Sequence, residues 1–297
     1  MSITNDIRNT FRYSDTIIQL ILVNVLAFVV QTILLVIFFL AGQREVFLDF
    51  LGKWMYVHSD WHHLLTRPWT LITYQYLHDP LGILHILFNM LYLFFFGRVF
   101  VQFSAHKNAL PLYVTGGIIG ALVFAIACHI IPSLKDLTGQ NMVGASAAVM
   151  AIVIASATLA PNHTFFLMFI GPVKLKYIAL VVILIDLVSM PREINVGGHL
   201  AHLAGAATGF AYVQSYRRGR NWFRWWDTFS LRLQNMFRRR RPRIVYVQQD
   251  AAQSKRKEKD KQQEKLDAIL DKIKASGYDS LSKSEKDFLF KVSNDKE

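Results

Sequence analysis

Ser146 and His202 are the two residues in this sequence whose types and settings best suit nucleophilic chemistry. His202 lies in Asn195-Val-Gly-Gly-His-Leu-Ala-His-Leu-Ala-Gly-Ala-Ala-Thr-Gly-Phe210, an apolar stretch carrying two histidines beside a ladder of small residues. Histidine has an unperturbed pKa near working pH, so a pair of them in a membrane-like segment points to chemistry. Gly205 and Gly209, extended backwards by Ala201, form a small-xxx-small face that lets another helix backbone come very close. Ser146 stands in Gly144-Ala-Ser-Ala at the head of another apolar run. A serine is a poor nucleophile until a base takes its proton, and a neutral histidine within hydrogen-bond reach is the usual partner. If Ser146 opens a helix, the N–H groups of that first turn have no intrahelical acceptor and can face an oxyanion. Gly144 and Ala145 leave room for a substrate backbone beside the serine. His85 and Asn89, one turn apart, can supply further donors, each worth about 2.7–4 kcal/mol of barrier in such a site.

The elements that must hold these residues are membrane helices. The chain has 297 residues, 53% hydrophobic and 18% charged, with the apolar residues blocked into long runs. Ile17 to Ala41 is about 25 nearly uncharged residues, enough to cross ~30 Å of hydrocarbon, and too long for a signal-peptide core. Further helices are expected from near Leu81, over Leu110 to Ile131, from Ser146 to Pro161, over Val173 to Met190, and from Gly198 to Tyr216. The expectation is an all-α membrane protein with six transmembrane helices. The connection from Gln43 to Gly82, with Trp54, Trp61 and Trp69, reads as an amphipathic segment at headgroup level.

Arg217, Arg218, Arg220, Arg224 and the run Arg238 to Arg241 follow the last span, and Arg98, Lys107, Lys174 and Lys176 lie in even-numbered connections. The positive-inside rule therefore puts both termini in the cytoplasm, and a cell inner membrane is the expected location. Arg44, Lys53 and Arg67 in the first connection are a partial exception, weakened by that connection's length. With this parity, Ser146 lies ~22 Å of helix from Pro161, and His202 lies ~22 Å from Arg217. Serine and histidine fall at one depth in the outer half of the membrane. The irregular backbone before Ser146 must dip inward, which is tolerable only where it lines a cavity.

Taken together, Gly144-Ala-Ser146, Ala201-His202-Leu-Ala-Gly205-Ala-Ala-Thr-Gly209 and His85-Ile-Leu-Phe-Asn89 resemble the GxS, AHxxGxxxG and HxxxN motifs of the rhomboid intramembrane serine proteases. Arg67-Pro-Trp69 and His78 also resemble that family's first loop, and the likeness spans roughly residues 15–215. It implies a six-helix rhomboid-like bundle and a serine-type endopeptidase acting through a Ser-His dyad. Ser146 would be the nucleophile and His202 the base and then acid. The Ser146 N–H, His85 and Asn89 would form the oxyanion hole. Substrates would be transmembrane or juxtamembrane segments of other membrane proteins. One departure is Ala147, where many members have glycine. No third carboxylate is evident; Asp186 is the only acid near this depth, and capping the helix end near Pro191 is favoured over orienting the dyad. His199, one turn before His202, reads as structural.

Other chemistry is poorly supported. His58, His62 and His63 invite a metal, but there is no HExxH and no carboxylate or cysteine set with ligand spacing, so neither metal nor cofactor is expected. Cys128 is alone in an apolar run and reads as a small buried hydrophobe. The rival to the protease is a non-catalytic rhomboid-like binder of transmembrane helices in quality control, which would predict loss of the serine or histidine. A channel would need a polar path that the inner halves of these helices lack.

After the core, residues 1–216, two more regions are expected. In residues 217–262, Trp222, Trp226, Phe229, Leu233 and Met236 recur with arginines around them, fitting a basic amphipathic helix on anionic lipid rather than nucleic acid. Gln248 to Lys261 reads as a charged linker. Residues 263–297 form a small helix-pair tail, with a stripe of Leu266, Ile269, Leu270 and Ile273, a stop at Gly277 and a capping-box start at Ser282-Lys-Ser-Glu285.

Overall fold

In the computed structural model the described residues are 15–104, 108–168, 170–192, 195–226, 228–229, 232 and 249–294. They fall into two compact units, Met1–Gln234 and Asn235–Glu297. Both are mostly helical.

The first unit begins with α1 (Thr16–Leu40), capped by Asp15, whose Oδ1 accepts from the Ile18 N–H at 3.0 Å. Its surface is largely exposed Val, Leu, Ile and Phe, as a helix bathed in lipid requires. Two buried amides pin its inner face. Asn24 donates to the Tyr113 hydroxyl at 3.2 Å, and Gln31 donates to the His78 carbonyl at 2.8 Å and the Tyr56 hydroxyl at 3.0 Å.

The connection that follows is structured: α2 (Arg44–Trp54), β1 (Val57–His58), α3 (Trp61–Thr66) and the single turn α4 (Thr70–Thr73). None of these is long enough to span a membrane. Trp54 stacks on Trp69 at 6.3 Å, and the Arg67 guanidinium sits 4.5 Å over the Trp54 ring.

Next come α5 (Ile83–Phe103), α6 (Ala109–Ile130), β2 (Asn141–Met142), α7 (Ser146–Leu159), the hairpin β3 (Thr164–Leu167) and β4 (Gly171–Lys174), α8 (Leu175–Ser189) and α9 (Val196–Arg217). Each of the six helices expected in residues 1–216 appears within a few residues of its place. Three of them, α1, α5 and α6, are long and apolar enough to cross a membrane by length and composition. The others fall short for physical reasons. The apolar α7 has 14 residues and α8 has 15, while α9 has 22 but carries two histidines and several glycines.

The centre of the unit is α7. Every residue from Ala147 to Ala157 is buried, so this helix is apolar on all sides because it is enclosed on all sides. Its closest neighbour is α9, followed by α6 and α5. Small residues make that closeness possible. A Cβ on Gly205 would collide with the Ala147 carbonyl, and one on Gly209 with the Ala151 carbonyl. Ser156 ties α7 to α5 through the Phe96 carbonyl, 2.8 Å away.

In the tryptophan segment after α9, Arg224 to Trp226, Thr228, Phe229 and Arg232 are helical, and two aromatic residues precede them. Trp222 and Phe223 turn back on the end of α9: Trp222 Nε1–H donates to Ser215 Oγ at 2.8 Å, and Phe223 stacks on Tyr212 at 5.1 Å. Leu233, Met236, the Arg238–Arg241 run and the polar segment Met1 to Ser14 lie outside the described residues.

In the second unit α10 (Gln249–Ser276) and α11 (Lys283–Asn294) form a helix pair. Of the expected charged linker, Gln248 lies outside the described residues, and Gln249 to Lys261 is part of α10. Its Lys, Glu, Gln and Ala residues are strong helix formers with no Gly or Pro among them, and Gln263 donates to Asp267 one turn on. Of the expected stripe, Ile269 is buried, whereas Leu270 is 48% exposed and faces out. Gly277, at φ 80°, ends the helix, and the Ser282 N–H donates to Glu285 Oε2 at 2.7 Å, making one arm of the capping box. That bond and the Lys272 ammonium, 3.0 Å away, hold the Glu285 carboxyl down at about 2.

Candidate active site

The serine is presented by a strand that ends abruptly in a helix. Val57 pairs with Met142 and His58 with Asn141, antiparallel, and the Gly144 N–H donates to the Tyr74 carbonyl at 3.1 Å. Gly144 then turns the chain at φ 131°, where a side chain would be strained, and a Cβ there would sit 2.8 Å from His85 Cε1. Glycine is thus required twice over, for the turn and for the approach of His85.

Ser146 is the first residue of α7, and the N-cap position belongs to Ala145, which offers no side-chain cap. The hydroxyl is therefore not spent on capping the helix it begins, which is the ordinary use of a serine at such a place. The unpaired N–H groups of the first turn remain as an electropositive surface beside it.

His202 comes from α9, at a height set by the glycine contacts. Because Gly205 lies against the carbonyl of Ala147, the histidine one turn earlier on α9 is carried to the start of α7. Ser146, His202, His85, Asn89, Gly144 and Asp186 all line one cavity of about 580 Å³. Gly205 and Gly209 are not in it and serve the helix contact. Among the described residues no hydrogen bond joins Ser146 to His202; they share the cavity as an open pair. Open pairs of this kind are common before substrate arrives.

Asn89 is buried and donates one N–H to the His85 carbonyl at 2.9 Å, which leaves its second N–H available. Behind His85, the His78 ring meets it edge-on at 5.4 Å. His78 is fully buried, neither ring nitrogen has a hydrogen-bond partner, and burial with the neighbouring His85 pushes its pKa down to about 3.

Asp186, expected to cap the helix end near Pro191, instead faces the two histidines of α9. Its Oδ1 accepts from His202 Nδ1 at 2.9 Å and from His199 Nδ1 at 2.7 Å, and the residue is 5% exposed. The available signal was the isolation of one acid in an otherwise apolar helix, together with two histidines three residues apart. The side-chain ligand atoms of the three residues lie within 4.8 Å of one another, a composition that could hold a divalent ion. The separations argue for hydrogen bonds instead. Tetrahedral zinc with ~2.0 Å bonds holds its ligand atoms about 3.3 Å apart, wider than either N···O pair here. His58 and His63 stack at 4.4 Å but bond backbone groups, Asp60 N–H and the Lys53 carbonyl.

A mostly helical membrane protein, with a serine at a buried helix start and a histidine from a close-packed glycine helix in one cavity, defines a narrow class. Residues 65–218, just over half of the chain, match the Rhomboid domain family model, and the chain belongs to the rhomboid family. Residues 253–295 match a second model, a family of unknown function (DUF6576), which coincides with the helix pair. Among curated proteins, the RHOMBOID-like protein 12, mitochondrial, of Arabidopsis thaliana is 32% identical over 165 residues, covering 52% of this chain and 48% of the relative. The chain therefore spans about half the length of that relative.

Proposed function

We propose that this protein is an intramembrane serine endopeptidase that cleaves transmembrane or juxtamembrane segments of other membrane proteins. The observation that carries this reading is the shared cavity of Ser146 and His202, with Ser146 at the uncapped start of α7. In the reaction His202 Nε2 takes the proton from Ser146 Oγ as the oxygen attacks the scissile carbonyl. The carbonyl π pair moves onto oxygen, facing the Ser146 N–H, Asn89 and His85. As the C–N bond breaks, the imidazolium proton passes to the leaving nitrogen. Water then attacks the acyl-enzyme, with His202 again as base, and restores the serine. Helix-weakening residues in the substrate favour cleavage, because a hydrogen-bonded helix hides its scissile carbonyl.

The same reading takes α1, α5, α6, α7, α8 and α9 as six spans, with both termini in the cytoplasm of a cell whose inner membrane holds the protein. The basic segment after α9 meets anionic lipid, and the helix pair is a separate tail. The non-catalytic alternative, a rhomboid-like binder of transmembrane helices, is disfavoured by retention of both Ser146 and His202.

The test is cleavage of a designed transmembrane-helix substrate by the detergent-purified protein, beside Ser146→Ala and His202→Ala. Loss of cleavage in both variants is expected. Cleavage by either at the wild-type rate would reject the reading.

A further inference from the structure

We infer that Asp186 is a positioning residue for His202, so that the dyad works as a triad whose carboxylate comes from α8. This rests on the protease reading above and adds the group that gives the base its direction.

Imidazole has two nitrogens, and only the neutral form with the proton on Nδ1 leaves Nε2 able to accept from a serine. Left free, the ring exchanges tautomers and rotates. Here the carboxylate of Asp186 accepts from His202 Nδ1 at 2.9 Å. An ionised carboxylate is acceptor-only, so Nδ1 must carry the proton and Nε2 is left as the free base. Among the described residues no other group bonds His202 Nε2. Three facts make the arrangement specific. Asp186 is, apart from Leu175 and Ala179, the one buried residue of α8, while its neighbours Leu184, Ile185, Leu187 and Val188 are exposed. The carboxylate lines the cavity together with Ser146 and His202. A second donor, His199 Nδ1 at 2.7 Å, bonds the same oxygen and steadies the carboxylate from one turn away. An acid at this depth carries a desolvation penalty, and two N–H donors on one oxygen are what offset it.

During catalysis the proton that leaves Ser146 Oγ resides on Nε2 and passes to the leaving nitrogen. Asp186 neither gains nor loses a proton. It stabilises the imidazolium and preserves its orientation.

The experiment compares wild type, Asp186→Asn and Asp186→Glu in two readouts: steady-state cleavage of a designed transmembrane substrate, and the histidine tautomer seen by nitrogen-15 NMR of protein labelled at histidine, with His202→Gln assigning the signal. Asparagine can present an N–H to Nδ1 and shift the proton to Nε2. The expected result is a loss of Nδ1–H tautomer at His202 together with a fall in kcat of about 10²-fold at near-constant KM. Asp186→Glu restores the Nδ1–H tautomer and most of kcat, which a packing role would not predict for the bulkier side chain. Should Asp186→Asn fail to fold, Asp186→Ala, which only removes atoms, takes its place with the same expectations. An unchanged His202 tautomer, or kcat within threefold of wild type, overturns the assignment. If wild type cleaves nothing yet the tautomer responds to Asp186, the protease reading fails and the hold of Asp186 on His202 stands.

Discussion

The α-carbon of Gly205 lies against the backbone carbonyl of Ala147, the residue that follows the candidate nucleophile, so closely that no methyl group fits between them. Backbone cannot swing aside as a side chain can. Gly205→Ala should therefore push α9 away from α7 and carry His202 with it, at a cost of about 1–3 kcal/mol in stability. Thermal denaturation in detergent and the rate of fluorophosphonate labelling at Ser146 measure the two consequences. A variant as stable and as reactive as wild type would contradict the packing described.

Ala147 fills a place where many rhomboids have glycine, and the extra methyl is met by a glycine across the interface. A Cβ on Gly120 of α6 would come 2.7 Å from Ala147 Cβ and 3.0 Å from the Ala201 carbonyl. The two positions should be coupled. Gly120→Ala is expected to destabilise the protein by about 1–3 kcal/mol, and to recover part of that loss when combined with Ala147→Gly, a coupling a double-mutant cycle reads directly. Strict additivity would mean that the methyl of Ala147 is not what Gly120 accommodates.

His78 makes stability depend on pH. Its folded-state pKa of about 3 lies below the ordinary 6.5, so over that window the unfolded chain binds the proton that the folded protein refuses. The contribution of neutral His78 is complete above about 6.5 and is lost as pH falls towards about 3, with a slope of up to ~1.4 kcal/mol per pH unit. Melting curves of wild type and His78→Asn between these limits should converge as the medium becomes acid. Parallel curves would place the titration elsewhere.

Asn89 keeps one N–H free while the other bonds the His85 carbonyl. If the free N–H meets the developing oxyanion, Asn89→Ala lowers kcat by about 10²-fold with little change in KM. An effect confined to KM would assign the amide to substrate binding.

His199 shares the Asp186 oxygen with His202, and the two histidines differ in what their loss does. His199→Ala should slow turnover a few-fold, by loosening the carboxylate, against about 10²-fold for Asp186→Asn. Turnover losses in the reverse order would make His199 the working partner of the carboxylate.

The positions of the helices were legible because long apolar runs and the prolines that end them state where a chain can cross lipid. That Ser146, His202, His85 and Asn89 would come together was legible because their spacings are motifs, and the four line one cavity. Asp186 was not, for a physical reason: α8 is apolar nearly all round, so its sequence does not announce which face turns inward towards α9. The charged half of α10 misled in the opposite way, because low hydrophobicity is also what a solvated helix has. The fold of Trp222 and Phe223 onto Tyr212 depends on a tertiary contact that periodicity does not encode.

A helix of 14 residues with neighbours on every side has a bearing on how the protein is made. At ~1.5 Å per residue α7 reaches about 21 Å, less than the ~30 Å of hydrocarbon, so alone in lipid its first-turn N–H groups would have nothing to bond. It gains a settled position only when α9, made after it, closes over it through Gly205 and Gly209. On the protease reading, Ser146 and His202 thus meet only after α9 has been made, and a chain halted before it would carry an unarmed serine.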